Sequence, residues 1–304
     1  MPYILRVTDD GDILTLGRFE LPSRFNMCAH PKIDPVSGDM YAHSLQFWFP
    51  LHYSIFRVPA DDDDGVNSSS SSSSSGGGGG GNACCVPLLE VPVPLLNVPL
   101  VHDFAMTERF IIFPDNQIVF RVGDIVKGET PLGCDPNKTG RFGLLPRDRE
   151  SGGCDGPTKP QWFEAPGINC LHYLNAWEPE GCDDEVVIIA TDVSPVESFS
   201  DFPFNIEFVL LEIRLDTRTG SVKRRTICSG INLEFGVFNQ AYIGRKTRYA
   251  YYAVRRNRNW LLFTGFVKLD LMHLEEGSGG QECIVGTREF GEGKYVGEPW
   301  FVEA

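Results

Sequence analysis

Short runs in which apolar and polar residues alternate, separated by Gly, Pro, Asp and Asn, recur along the chain and predict strands joined by turns. Ile4-Leu5-Arg6-Val7, the turn Asp9-Asp10-Gly11 and Ile13-Leu14-Thr15-Leu16 read as a hairpin. Met40–Phe49 and Tyr53–Val58 repeat the pattern, as do Phe110–Pro114 and Ile118–Phe120 on either side of an Asp115-Asn116 turn. Farther on, Arg141–Pro146, Trp162–Pro166, Glu185–Thr191, Val209–Leu215, Arg248–Val254 and Phe263–Asp270 carry strand-forming residues. Pro87, Pro92, Pro94 and Pro99 exclude a helix between them and suit an edge or connecting segment. Only Ser194–Phe208 has room for a helical turn or two. Turn signals at roughly ten-residue intervals indicate an all-β fold, and the pattern does not choose between sandwich, barrel and propeller.

One stretch breaks the pattern. Residues 61–83 hold Asp61–Asp64, Ser68–Ser75 and Gly76–Gly81, a composition that buries too little apolar surface to order itself. Because strand patterns flank it, it is expected to be a disordered insertion at an expanded hairpin tip, inside one domain that spans residues 1–304, with a linker between domains as the rival reading. The chain opens almost directly on a strand, and an unguarded first edge suggests part of a longer protein.

A formal charge of −14 and a pI near 4.9 argue against nucleic acid as a partner, since phosphate binding needs clustered Lys and Arg. No run of eighteen apolar residues offers a helical membrane span. Nine cysteines, with no CxxC pair among them, are expected to be reduced thiols, buried or in loops.

The candidate chemistry lies in histidines. His102 stands between apolar residues and Asp103, ahead of two strand runs; His30 and His172 have comparable settings. These three are spaced 72 and 70 residues apart, as repeated blades around an axis would space them, although the low-complexity stretch inflates the first step. Three imidazoles could share Fe(II), Zn or Cu. Spacing alone does not bring them together, and each could equally be an ordinary core or turn histidine. His43, His52 and His273 have no supporting context.

Seven segments in order carry a resemblance: His30-Pro-Lys-Ile-Asp-Pro35, His102-Asp-Phe-Ala-Met-Thr-Glu108, Asn137–Pro146, His172-Tyr-Leu-Asn-Ala-Trp-Glu178, Asn232-Leu-Glu-Phe-Gly236, Gly244–Tyr251 and Gly297-Glu-Pro-Trp-Phe-Val302. With them the chain resembles the carotenoid cleavage dioxygenases, and among these most of all the plant 9-cis-epoxycarotenoid dioxygenases. The resemblance implies a seven-bladed β-propeller, here a partial one of about four to five blades. It further implies a non-haem Fe(II) held by four histidines, with glutamates orienting them. His30, His102 and His172 match three ligands, and Glu234 and Glu298 match two of the glutamates. The implied reaction adds both atoms of O₂ across a polyene double bond. In the epoxycarotenoid branch the substrates would be 9-cis-violaxanthin or 9′-cis-neoxanthin, cleaved at the 11,12 bond to xanthoxin, the precursor of abscisic acid. The alternatives are the plastid branch that cleaves at 9,10 (9′,10′), or a truncated, non-catalytic binding remnant.

The resemblance also implies a plastid location and peripheral membrane contact in full-length members. Phe47–Leu51 and Phe235–Phe238 are candidates for tunnel or membrane-facing surface, or for core. The family's fourth histidine, in a His-Gly-Thr/Ser-Phe-type motif, has no counterpart here, and neither does a transit peptide. Val296 stands where a glycine is usual. Expressed alone, the chain is therefore expected to bind iron weakly and to have little cleavage activity.

Overall fold

The computed structural model describes residues 3–22, 25–46, 50–60, 85–94, 96–147, 159–201, 205–256, 262–272 and 282–303. These form two units, Met1–Pro92 and Val93–Ala304. In the first, β1 (Tyr3–Val7) and β2 (Ile13–Arg18) make the expected hairpin, its turn closed by Gly11 at φ +87°. Next, β3 (Lys32–Ile33), β4 (Met40–Gln46), β5 (His52–Val58) and β6 (Val86–Pro92) form a four-stranded antiparallel meander around Phe25, Ala42, Phe56 and Val58. Since β5 pairs with β6, the low-complexity stretch joins two paired strands, as expected; residues 61–84 themselves lie outside the described residues. The prolines of β6 sit on an edge strand, where a missing N–H costs no ladder bond.

The second unit contains β7 (Asn97–Pro99), β8 (Ala105–Met106), β9 (Phe110–Asp115), β10 (Ile118–Arg121), α1 (Val122–Lys127), β11 (Leu132–Cys134), β12 (Arg141–Pro146) and β13 (Gln161–Glu164). It continues with β14 (Cys170–Trp177), β15 (Glu185–Ser194), β16 (Glu207–Asp216), β17 (Val222–Cys228), β18 (Asn232–Val237), β19 (Tyr249–Arg255), β20 (Phe263–Asp270) and β21 (Ile284–Glu289). Strands β14 to β17 and β18 to β21 are four-stranded meanders in chain order; β8, β9, β12 and β13 form a third sheet, and β7, β10 and β11 a three-stranded one. The continuous apolar run Val186–Ala190 on β15 is buried throughout, as a strand covered on both faces requires. By contrast β21, at a sheet edge, is mostly exposed. One core joins β9, β12 and β13 to β14, β15 and β16 through Ile112, Phe142, Phe163, Tyr173, Ile188 and Ile213.

A 3₁₀ turn at Val196–Asp201 lies within the segment expected to hold a helical turn or two, and β16 takes up its end at Glu207. The helix α1 was not expected. Its residues are all partly or fully exposed, so no apolar stripe announces it, and only Asp124 in its first turn, Lys127 in its last and Gly128 at φ +75° mark its ends. What matters for the site is that the first strands of three successive sheets, β8, β14 and β18, are neighbours.

Candidate metal centre

Two candidate histidines come from those neighbouring strands or their lead-ins. His102 lies in the coil between β7 and β8. His172 lies on β14 where the register to β15 slips, between Cys170 and His172 and again between Tyr173 and Asn175. A bulge of this kind takes a side chain out of strict alternation and re-aims it. The two rings meet edge to face, their centroids 4.8 Å apart at 89°. A ring nitrogen of each lies within 4.8 Å of the other, against about 4.2 Å across a single ion bound by two opposed imidazoles.

Glu234, on β18 and 2% exposed, places its two carboxylate oxygens 3.0 and 2.9 Å from Nδ1 of His172. It also accepts the backbone N–H of Phe235. Phe235 has φ +55°, in the left-handed region, where β18 bulges against β19 between Glu234 and Val237. Such a conformation costs a bulky residue on the order of 1–3 kcal/mol and persists where the surroundings hold it. Here the Phe235 ring packs 5.4 Å from the His172 ring and 4.9 Å from that of Phe263.

Asp103, also buried, accepts the N–H of Phe104 at 2.7 Å through one oxygen and that of Tyr173 at 2.9 Å through the other. The residues after His102 and His172 are thereby tied to one carboxylate. Burial works against the charged form of His172, but the Glu234 carboxylate outweighs it, and with Asp103 and Glu298 adding, the imidazole is pushed up to about 9. Burial and the neighbouring His172 push His102 down, which favours the neutral ring that a metal needs.

Of the other predicted residues, His30 is half-buried in the coil before β3 and belongs to the first unit. Glu298 lies exposed in the C-terminal coil, and its charge adds to the field at His172. Phe238 is core, and Phe47–Phe49 lie outside the described residues. His43 is buried on β4 beside Tyr53, and His52 bonds the carbonyl of Pro50; His273 lies outside the described residues.

Sequence reasoning missed Asp103 as a site residue, although it stands next to His102. It also missed why the other motif residues recur. The Asn175 amide donates to the carbonyls of Tyr242 and Arg245 at 2.9 and 2.7 Å and accepts the N–H of Gly244 at 3.2 Å. Glu178 accepts the Thr107 hydroxyl at 2.7 Å. These bonds pin the connections at the far end of β14. That end, at Trp177, opens on a groove of about 1430 Å³ lined by Glu178, Glu212, Arg214, Arg225 and Arg245. It lies roughly 16 Å along the strand from His172, and its charges suit water better than a hydrocarbon.

The family model described as retinal pigment epithelial membrane protein matches residues 1–304. The chain belongs to this family. Its curated relatives are carotenoid cleavage dioxygenases: the zeaxanthin 7,8(7′,8′)-cleavage dioxygenase of Crocus sativus is 40% identical over 100% of this chain and 73% of its own length. The 9-cis-epoxycarotenoid dioxygenase NCED1 of Oryza sativa subsp. japonica is 34% identical over 99% of this chain but only 42% of its own. Among solved structures, cobalt-substituted Synechocystis ACO superposes with a TM-score of 0.67 at 19% identity, covering 98% of this chain and 58% of that one. An ACO/RPE65 chimera gives 0.67 at 18% identity, covering 99% and 58%. The all-β sheets are thus those of the family's propeller fold. Except for the Crocus enzyme, this chain spans about half the length of these relatives.

Proposed function

We propose that this chain provides iron-binding machinery of an oxygenase that cleaves a carotenoid double bond with O₂, with His30, His102 and His172 as ligands. The observation that carries the reading is Glu234 bonded to Nδ1 of His172 while the His102 ring faces His172. The donor set suits ferrous iron: imidazole nitrogens, one ring fixed by a buried carboxylate, beside apolar aromatic rings. Fe(II), when bound, supplies the O₂ activation that no side chain offers. The chain's own residues supply the rest. Glu234 holds the Nδ1 proton of His172, leaving Nε2 to ligate, and Asp103 keeps the two histidine segments in step. Phe235 and Phe263 keep water from one side of the rings. The place of His30 rests on its motif, and Glu298 is assigned as an orienting carboxylate on the same ground.

One oxygen atom of O₂ would enter each of the two carbonyl products. For the substrate, the epoxycarotenoid expected from the resemblance now competes with zeaxanthin, because the Crocus enzyme is the more similar and is covered over more of its length. Chloroplastic and chromoplastic relatives support a plastid location. The test is to load the purified chain anaerobically with Fe(II), then supply ¹⁸O₂ with zeaxanthin or 9-cis-violaxanthin in detergent. Labelled apocarotenoid carbonyls would bear out the cleavage chemistry against the low activity expected of the chain expressed alone, and their lengths report the bond cleaved. Stoichiometric iron without product would favour the binding remnant, and a His172→Ala variant that holds as much Fe(II) as wild type would overturn the ligand assignment.

A further inference from the structure

Cys228 ends β17, the outer strand of one four-stranded sheet, and Cys283 immediately precedes β21, the outer strand of the next. Both are buried, 0% and 1% exposed, and their sulfurs lie 3.1 Å apart, about 1 Å beyond a disulfide bond. The cysteines were expected to be inert reduced thiols, yet these two face each other across a boundary between sheets. We propose that Cys228 and Cys283 form a reversible oxidative modification site, a disulfide that staples β17 to the start of β21, made by hydrogen peroxide or a peroxide of similar size.

The pair is chemically unequal. Either thiol can donate to the other sulfur; with Cys228 as donor, the Cys283 thiol is pulled down and that of Cys228 pushed up. In that arrangement Cys283 is the thiolate that attacks. It displaces hydroxide from the peroxide and becomes a sulfenic acid; the Cys228 sulfur then attacks that sulfur, releasing water. Overall, two thiols and one hydrogen peroxide give one disulfide and two waters, so the sulfurs are oxidised by two electrons and the peroxide is reduced by two. Because both sulfurs are buried, access depends on local opening of the exposed edge strand β21, and a small oxidant has the advantage over bulky disulfides. The bond closes a loop across 55 positions of chain, long enough to restrict the unfolded state substantially.

The test uses the folded wild-type chain, reduced, desalted and exposed to stoichiometric hydrogen peroxide, then alkylated and mapped by mass spectrometry. A linked Cys228–Cys283 peptide is expected, with loss of two alkylatable thiols, reversal by dithiothreitol, and a thermal midpoint raised by roughly 5–10 °C. In Cys228→Ser, Cys283 should stop at the sulfenic acid and be captured by dimedone. The wild-type map alone decides the matter if that variant fails to fold. Overoxidised Cys283 without the linked peptide, or linkage appearing only after denaturation in urea, would overturn the proposal.

Discussion

Asp103 accepts the backbone N–H of Tyr173 at 2.9 Å while its other oxygen accepts the N–H of Phe104 at 2.7 Å. One buried carboxylate thus spans the residues that follow both His102 and His172. In Asp103→Asn the amide offers a single oxygen, so one of the two N–H groups would face a donor. Leaving a buried donor unmatched costs about 1–3 kcal/mol. The urea midpoint should fall accordingly, and Co(II) affinity, followed by its visible absorption, should fall with it. An unchanged midpoint and unchanged affinity would show that Asp103 does not hold the segments together.

Glu234 is buried, and its carboxylate is bonded to Nδ1 of His172. Removing a carboxylate that orients a metal-bound imidazole weakens metal affinity by about 10- to 100-fold. Glu234→Gln should show that loss in a Co(II) titration. An unchanged affinity would contradict the geometry.

Strands such as β4, β5, β9, β12, β15, β16, β19 and β20 were legible because each is a short alternating or β-branched run between turn residues, whereas β14, β17, β18 and β21 were not read as strands. What pattern could not show was the convergence of His102, His172 and Glu234, which depends on β8, β14 and β18 being neighbours and on two bulges. Bulges leave no period in the sequence. The family resemblance pointed to the same residues by motif, without a physical reason for Asn175, Glu178 or Gly244. Their reason is mechanical, a set of bonds between connections, and only the fold brings those connections together.

Gly244 provides a test of that clamp. Its φ is +80°, and a β-carbon there would sit 3.1 Å from the backbone of Thr107, which bridges to it, and of Glu108. Gly220 has a similar φ of +76° but open space around it. Both alanine variants bear the backbone strain, on the order of 1 kcal/mol. Only Gly244→Ala must also push backbone aside. Its loss of stability in urea should exceed that of Gly220→Ala by about 1–2 kcal/mol; equal losses would mean that the contact yields freely.

Asp192, on β15 and 5% exposed, accepts the N–H of Asn169 at 2.5 Å. Burial dominates its titration and raises the carboxyl from 3.8 to about 6, against the lowering effects of the Asn169 N–H and the Arg224 charge. A raised acid binds its proton more tightly in the folded chain, so its contribution is fully present below pH 3.8 and is lost as the pH rises through 6. The change amounts to at most about 3 kcal/mol. Asp192→Asn keeps an oxygen to accept the Asn169 N–H and cannot ionise. Relative to wild type the variant should therefore gain stability between pH 4 and pH 7 and level off above, as read from thermal midpoints across that range. Parallel pH profiles for the two proteins would mean that Asp192 titrates in the folded state as it does in the unfolded one.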